Sequence, residues 1–267
     1  MRLRPIAAIA LRQLYLMRSS PVRVLPMIAW VAVDIVLWGF IARYLNSVTA
    51  TGINFTASLL GAVLFWDFFT RVMQGVTMAF FEDVWSRNFI NVFASPLLIS
   101  EYLSGLVLTG VTTSLVGLIV MLIIATMIFG LHFAALGLLL VPFLMVLFLF
   151  GIALGVLASA MVLRLGPASE WLVWPIPALL SPFVGVFYPL ATLPSWMRHI
   201  GQLLPPSYVF EAMRSVVAGG GYSNAALALG VSLAAVYVLL AAWLFTVVYR
   251  YAVRSGLLAR YSAESVS

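Results

Sequence analysis

The sequence predicts an all-α integral membrane protein with six transmembrane helices. Hydrophobic residues make up 64% of the 267 positions and charged residues only 8%, whereas soluble domains carry roughly 25% charged residues. The mean hydropathy is +1.14. A bilayer core about 30 Å thick is crossed by about 20 apolar residues in a helix, and roughly six such spans fit along the chain. We therefore expect residues 1–267 to form a single transmembrane domain.

The six spans are expected at about 24–44, 55–80, 103–129, 134–163, 171–188 and 225–249. On the fourth span, Gly151, Gly155 and Ser159 lie four residues apart. Small residues at this spacing let a second helix approach closely. Chance produces the same spacing in glycine-rich membrane proteins, so a close helix contact and no contact at all are both open at this point.

Before the first span, residues 1–23 have the pattern of an amphipathic helix. Apolar residues such as Ile6, Ile9 and Leu14 recur at helical spacing, and Arg12 interrupts the apolar stretch. This pattern favours a helix that lies in the lipid headgroup layer. The alternative is a frayed cytoplasmic tail. The internal arginine also argues against a cleaved signal peptide.

All 14 basic residues are arginines, and they are distributed unevenly about the predicted spans. About ten of them flank the spans on the side that carries both chain ends, against about three on the other side. Cytoplasmic loops of membrane proteins carry the excess of positive charge. Both termini are therefore predicted to be cytoplasmic, in a multi-pass protein of the cytoplasmic (inner) membrane.

The absence of lysine limits the chemistry of the chain. A P-loop requires the sequence G-x-x-x-x-G-K-[ST], because its lysine must reach the nucleotide phosphates. We therefore expect this chain to bind no cofactor, and any ATP and Mg²⁺ to be bound by another polypeptide. His132 and His199 have no carboxylate or cysteine arrangement around them, so neither a metal site nor a catalytic residue is expected. Patches of basic residues occur only as flanks of spans, so nucleic-acid binding is not predicted.

A polar segment at 82–95 separates the second and third predicted spans on the cytoplasmic side. Its apolar residues recur at helical spacing, and a short amphipathic helix can dock in a groove of a partner protein. The alternative is an interfacial helix that only joins two spans. Ser95-Pro96 predicts the start of the next helix, where Glu101 would be stabilised by the helix dipole.

A second irregular segment, at 189–221, lies between the last two predicted spans. Pro189, Pro194, Pro205 and Pro206 divide it into apolar pieces that are too short to cross the bilayer. Such pieces are typical of helices that dip partway into the membrane and return, with their broken backbone covered by protein. We expect a re-entrant hairpin on the outer side, which acts either as a lid over a central cavity or as a passive cap.

Three ionisable residues are predicted inside the bilayer, where charges are costly and tend to mark function. Asp67 and Arg71 are four apart on the second span and can neutralise each other, and we favour this pairing over contact with a substrate. Asp34, on the first span, has no partner on its own helix. It is paired with an arginine elsewhere, protonated or exposed to water, and the sequence leaves all three open.

Three segments together give the chain a resemblance to a known family. They are the basic amphipathic segment ALRQLYLMRSSPVR, the cytoplasmic run FFEDVWSRNFINVFASPLLISEYLSG and the outer segment GVFYPLATLPSWMRHIGQLLPPSYVFEAMR. With these segments in this order, the chain resembles the membrane (permease) subunit of type-2 ATP-binding cassette (ABC) exporters, the permeases of drugs, lipid-linked glycans and nodulation factors. The resemblance covers nearly the whole chain.

The resemblance implies a half-transporter. Two permease chains, as a homodimer, would enclose a central pathway, and two copies of a separate ABC ATPase would bind from the cytoplasm. Closure of the ATPases would press on a coupling helix held in their groove. The residues that would belong to this helix are Glu82, Asp83, Trp85, Arg87 and Asn88.

The resemblance also assigns residues to the pathway. The outer hairpin would form part of an extracellular gate, with Leu193, Trp196, Pro205, Tyr208 and Phe210. The first, second and fifth spans would line the pathway, and the candidate lining residues are Trp38, Phe65, Phe69, Phe183 and Phe187.

The chemistry of such a pathway limits the substrate. Aromatic walls with few fixed charges suit an amphipathic molecule such as a drug, a lipid or a lipid-linked glycan, and do not suit small inorganic ions. The main alternative is a secondary transporter or lipid scramblase acting alone, which would need an internal repeat or an ionisable relay. Only Asp34, Asp67 and Arg71 could contribute to a relay. A non-transporting membrane scaffold would not explain the cytoplasmic helix together with the outer hairpin.

Overall fold

A computed structural model describes residues 2–19, 21–48, 55–86, 92, 95–130 and 140–257. The regular structure of these residues is helical. The long helices are α1 (Leu3–Ser19), α2 (Pro21–Val48), α3 (Phe55–Trp85), α4 (Ile99–Phe129) and α5 (Leu140–Leu165), followed after an irregular region by α9 (Asn224–Arg254). Between α5 and α9 lie the short helices α6 (Ile176–Val184), α7 (Ser195–Gln202) and α8 (Pro205–Val217), with 3-10 helices at Pro167–Leu172 and Leu190–Thr192.

Four helices of the described residues are long and apolar enough to cross a membrane: Ser58–Trp85, Ile99–Phe129, Leu140–Leu165 and Asn224–Arg254. They correspond to the predicted spans two, three, four and six. The chain is therefore a multi-pass membrane protein. The predicted first span is also one continuous helix, α2, but it is not among these four. The first residues of the predicted fourth span, 134–139, lie outside the described residues.

The predicted fifth span is wrong as a continuous helix. Its region contains the 3-10 helix Pro167–Leu172 and then α6, which is only nine residues long. Pro175 stands at the N-cap of α6 and Pro182 lies inside it. A proline removes a backbone donor and clashes with the preceding turn, so it interrupts a helix. Gly185 then ends α6 in the left-handed conformation, with φ +67°.

Helix α3 is the centre of the packing. It contacts α2, α4, α5 and α8, and α5 in turn packs along α9. A Cβ atom on Gly155 would lie 2.8 Å from the carbonyl oxygen of Met73, and one on Gly151 would lie 2.8 Å from the Val72 side chain. Of the two possibilities left open for these α5 glycines, a close helix contact is the one observed, and α3 is the partner. On the other side of α3, Gly75 and Gly110 let α4 approach equally closely.

Helix α3 contacts different helices near its two ends, and these contacts define two ends of the domain. Near its start, Gly61 faces Met213 of α8 and the Trp66 ring lies 6.3 Å from that of Phe210. Near its other end, Ala79 contacts α1. At a rise of about 1.5 Å per residue, these two levels are roughly 25 Å apart. We call the region of α6, α7 and α8 the hairpin end, and the region where α1 meets α3 and α4 the α1 end.

Candidate coupling and gating sites

At the α1 end, α1 is seated against both α3 and α4. The side-chain amide of Gln13 is buried and donates a hydrogen bond of 3.1 Å to the carbonyl oxygen of Ala79. On α4, a Cβ atom at Gly105 would lie 2.7 Å from the side chain of Ile9, so the glycine makes room for α1. The predicted N-terminal helix therefore forms, and one of its faces packs on protein.

A buried carboxylate joins three helices at this end. Asp83, on the last turn of α3, is only 2% exposed. It forms an ion pair with Arg12 of α1 and accepts a hydrogen bond of 2.8 Å from the hydroxyl of Tyr102 on α4. A buried charge is costly unless it is paired and hydrogen-bonded, and here both carboxylate oxygens have a donor. The Asp83 side chain therefore points into the protein, and the assignment of Asp83 to a coupling helix stays a prediction.

A second buried carboxylate, Glu101, connects the starts of α1 and α4. It accepts hydrogen bonds from the backbone N–H groups of Arg2 (2.9 Å) and Leu98 (3.2 Å), and from the Arg2 guanidinium. Helix N-termini stabilise negative charge, and Glu101 lies at two of them. Its hydrogen bond with the guanidinium raises the pKa of Arg2 above its ordinary value. Glu101 lies in the early part of this helix, as predicted, although α4 begins at Ile99 and not at Ser95-Pro96.

Trp85 remains accessible at the α1 end. Helix α3 continues through this residue, so Glu82, Asp83 and Trp85 lie on the last turns of a long helix and do not begin a separate one. Trp85 is 41% exposed, and its indole N–H donates to a carboxylate oxygen of Glu170 at 2.9 Å. This bond ties the end of α3 to the 3-10 helix that follows α5. Arg87 and Asn88 lie outside the described residues, as does most of 87–94.

The predicted gate residues are distributed between the interior and the surface of the hairpin end. Leu193, Pro205 and Phe210 are buried, Tyr208 is half-buried and Trp196 is exposed. The hydroxyl of Tyr208 donates to the carbonyl oxygen of Gln202 at 2.8 Å, which links α8 back to α7. The structure brings these residues into one compact hairpin; their role in gating stays a prediction.

The predicted lining residues separate into two groups. Trp38 of α2 and Phe187, which follows α6, stack with ring centroids 5.0 Å apart, and Phe183 contacts Trp196 edge to face at 6.2 Å. The second group is Phe65 and Phe69, which are 0% exposed. They pack against Phe143 and Phe150 in the core. In the single chain the rings of this second group are buried between α3 and α5, and their role as lining residues stays a prediction.

The three predicted intramembrane charges interact with one another. Both Asp34 on α2 and Asp67 on α3 interact electrostatically with Arg71. The stem of Arg71 lies against Gly117 of α4, where a Cβ atom would come within 3.0 Å of it. An arginine on another helix is therefore available to Asp34, as one of the three predicted options requires. The cluster has two acids for one base.

The comparison with protein families decides the identity. The model of the family described as "ABC-2 type transporter" matches residues 7–218. The chain belongs to the ABC-2 type transporter family. A comparison with curated proteins finds no match.

The match to the ABC-2 family includes both sites. It begins within α1 and ends just after α8, so it contains Asp83 with its partners Arg12 and Tyr102, the residue Glu101 and the helices α6, α7 and α8. An ABC-2 permease domain is a transmembrane component without an ATPase site of its own, and membership implies an ABC ATPase partner. Among the described residues, no group of three or more His, Cys, Asp or Glu side chains could hold a metal ion.

Sequence reasoning missed the partners that hold the α1 end together. Arg2, Arg12 and Tyr102 were assigned no contact, yet they supply the donors for the two buried carboxylates. One signal was available: charged residues make up only 8% of the chain, so each acid near a span needs a specific partner. Which arginine pairs with which acid depends on tertiary packing.

Proposed function

We propose that this chain is the permease subunit of an ATP-driven exporter and is energised by a separate ATPase subunit. The observation that carries the proposal is the family match over residues 7–218, which spans every element from α1 to α8. The exporter resides in the cytoplasmic membrane with both termini in the cytoplasm. ATP and Mg²⁺ are bound by the partner, in keeping with the absence of lysine from the sequence.

Coupling to the ATPase occurs at the α1 end. Trp85 and Glu82 lie at the end of α3, directly before the segment that contains Arg87 and Asn88. The exposed Trp85 ring offers an apolar anchor, and aromatic anchors dominate many protein interfaces. Asp83 ties this end of α3 to α1 and α4, and Glu101 joins the starts of α1 and α4 to each other. A push on the coupling segment therefore displaces three helices together.

The working unit is a homodimer of permease chains with two ATPase copies. A single chain encloses Phe65 and Phe69 in its own core, so a pathway through the domain is more readily built between two chains. Helix α2 carries an exposed apolar face with Trp30, Leu37 and Phe40. In the assembled exporter this face is covered by lipid or by the second chain.

The substrate is an amphipathic molecule: a drug, a lipid or a lipid-linked glycan. The candidate lining residues that remain accessible or half-buried are Trp38, Phe183 and Phe187. Flat aromatic rings accept apolar rings, acyl chains and sugar faces. The hairpin end, with Trp196 and Tyr208, forms the outer gate of this pathway.

Copurification tests the proposal. The wild-type chain, expressed in its native host, should recover an ABC ATPase in detergent, and Trp85→Ala combined with Arg87→Ala should lower the recovery. Trp171→Ala is the matched control, because Trp171 is also an exposed tryptophan but lies in the 3-10 helix after α5. Equal recovery and equal ATP hydrolysis by all three chains would refute the coupling site.

One observation favours the alternative, a secondary transporter that acts alone. Asp34, Asp67 and Arg71 form a charge cluster with one more acid than base, and an intramembrane relay needs such groups. Asp67→Asn distinguishes the two functions. A transporter driven by an ion gradient would lose accumulation when the gradient is the only energy source, whereas the exporter has no activity to lose under that condition.

A further inference from the structure

A tight turn connects α6 to the hairpin. It begins at Gly185, whose positive φ of 67° suits glycine and whose missing side chain leaves room for the carbonyl oxygen of Tyr188, 2.8 Å from where a Cβ atom would lie. The turn ends at Leu190. Phe187 lies at its middle and stacks on Trp38 of α2, with the ring planes 17° apart. The conformation of residues 185–190 therefore decides whether this stack exists.

Two side chains of α8 hold the turn at both ends. The guanidinium of Arg214 donates to the carbonyl oxygens of Gly185 (2.7 Å) and Val186 (3.3 Å). Glu211, three residues earlier on the same helix, accepts from the backbone N–H of Leu190 at 2.7 Å. The two side chains also bond each other at 2.7 Å. Hydrogen bonds to charged groups are stronger than neutral ones, and the planar guanidinium can reach two acceptors at once.

These hydrogen bonds connect residues 185–190 firmly to α8. Arg214 is only 17% exposed in its side chain, so water competes weakly for its donors. Helix α8 starts at Pro205 and belongs to the hairpin, whereas Trp38 belongs to α2. A displacement of α8 would carry the turn with it and separate Phe187 from Trp38.

We propose that Glu211 and Arg214 are positioning residues of the outer gate, which fix residues 185–190 so that Phe187 closes against Trp38. The Trp38–Phe187 stack is then the constriction of the pathway, and a movement of the hairpin opens it. This inference rests on the proposed function, since a constriction needs a pathway. If these side chains only stabilised the turn, the hydrogen bonds would be the same. The test therefore measures the distance between the positions of Trp38 and Phe187.

The natural absence of cysteine makes that distance measurable. The double variant Trp38→Cys, Phe187→Cys places two thiols at the constriction, and the chain has no other cysteine that could react. The full chain, assembled with its ATPase in lipid nanodiscs, is treated with a mild oxidant, and the rate of disulfide formation is measured. Adding Arg214→Ala should lower the rate about tenfold, because two hydrogen bonds that hold the turn are lost. Glu211→Gln, which keeps a carbonyl acceptor for Leu190, should lower it less.

Arg198→Ala is the matched control. Arg198 is another arginine of the hairpin and also donates to two backbone carbonyl oxygens, but these belong to Ala191 and Leu193, outside the turn. Its loss should leave the cross-linking rate unchanged. Equal rates in the Arg214→Ala and parent chains, or an equal fall with Arg198→Ala, would overturn the proposal. If Arg214→Ala does not assemble, the cross-linking rates of Glu211→Gln and Arg198→Ala are compared instead. Equal rates in these two variants would overturn the proposal.

A second measurement separates gating from bracing. In the parent cysteine pair, ATP binding to the complex should change the cross-linking rate, and in Arg214→Ala this ATP dependence should disappear. A brace alone would leave the ATP-dependent change at its parental size, which would overturn the gating role. Failure of the proposed function is recognised separately, because a chain that recovers no ATPase would still show the effect of Arg214→Ala without ATP.

Discussion

The two ends of the molecule are held by contacts of different range. At the α1 end, the residues that bond are far apart in sequence: Arg2 and Glu101 are separated by 99 positions, and Arg12 and Asp83 by 71. At the hairpin end, the separations are 29 positions for Arg214 and Gly185, and 21 for Glu211 and Leu190. The α1 end therefore joins distant helices, whereas the hairpin is bonded mostly within itself.

This difference indicates how each end can move. An element whose polar bonds are internal can shift as a unit without breaking them, and the hairpin has this property. At the α1 end any relative movement of α1, α3 and α4 would expose Asp83 or Glu101 unpaired, at a large cost. The α1 end is suited to transmit a displacement and the hairpin end to undergo one. The following variants test this contrast.

Loss of the buried carboxylate at the α1 end should have the largest effect. Asp83→Ala leaves Arg12 and the hydroxyl of Tyr102 without their partner, and removal of one member of a buried pair costs about 3 kcal/mol or more. A clear fall in the thermal midpoint of the purified chain is expected. The side-chain oxygen in Asp83→Asn can still accept the hydrogen bond from Tyr102. The thermal midpoint of this variant should therefore lie between those of the wild type and Asp83→Ala. A midpoint equal to that of the wild type in Asp83→Ala would contradict the role given to this end.

Crowding within the hairpin should have the next effect, and it should stay local. In Gly201→Ala the new methyl group would lie 2.5 Å from the carbonyl oxygen of Phe183, and overpacking of this kind costs about 1–3 kcal/mol. Deuterium exchange should rise in α6, α7 and α8 and remain unchanged in α1. The control is Gly221→Ala, where a Cβ atom meets nothing within 4 Å. Increased exchange in α1 as well would mean that the ends are not independent.

Ser207→Ala should weaken the hairpin by about 1 kcal/mol, the usual net value of one hydrogen bond. The buried hydroxyl of Ser207 donates to the carbonyl oxygen of Gly201 at 2.7 Å and so fastens α8 to α7. The thermal midpoint and the deuterium exchange of 195–217 measure the effect. Ser232→Ala is a suitable reference, since Ser232 bonds only within α9 and is exposed. Equal changes in both variants would argue against a structural role for the Ser207 bond.

The smallest effect is expected for Trp85→Phe. It removes the hydrogen bond to Glu170 but keeps an aromatic ring, and bonds between exposed side chains contribute about 0.5 kcal/mol or less. The thermal midpoint should hardly change, and Glu170→Gln should behave alike. A loss of stability as large as that of Asp83→Ala would show that the α3 end depends on this bond, and not on the buried carboxylates.

The sequence predicted much of the fold because long apolar runs determine helices in a membrane. α2, α3 and α4 appear where hydropathy places them, and the small-residue face of Gly151 and Gly155 does contact another helix. The fifth span failed because hydropathy does not register the prolines that interrupt it. Its apolar composition is unaffected by Pro175 and Pro182, yet only nine residues are α-helical.

The candidate sites were less predictable for a physical reason. In a membrane protein, core positions, lipid-facing positions and pathway walls are all apolar, so periodicity does not separate them. Phe65 and Phe69 therefore could not be distinguished from accessible aromatic residues such as Phe187. Asp83 was assigned to the coupling helix through the family resemblance, which carries a position and not the direction of a side chain. Only the position of Arg12 and Tyr102 in space reveals that it faces inward.

Reconstitution tests the central claim most directly. The purified chain is placed in liposomes, alone or with its ATPase, and accumulation of fluorescent phospholipid and dye probes is followed after addition of Mg-ATP to the cytoplasmic face. We predict accumulation against a gradient only when the ATPase is present, and none when its hydrolysis is blocked. Uphill accumulation by the chain alone would contradict the account.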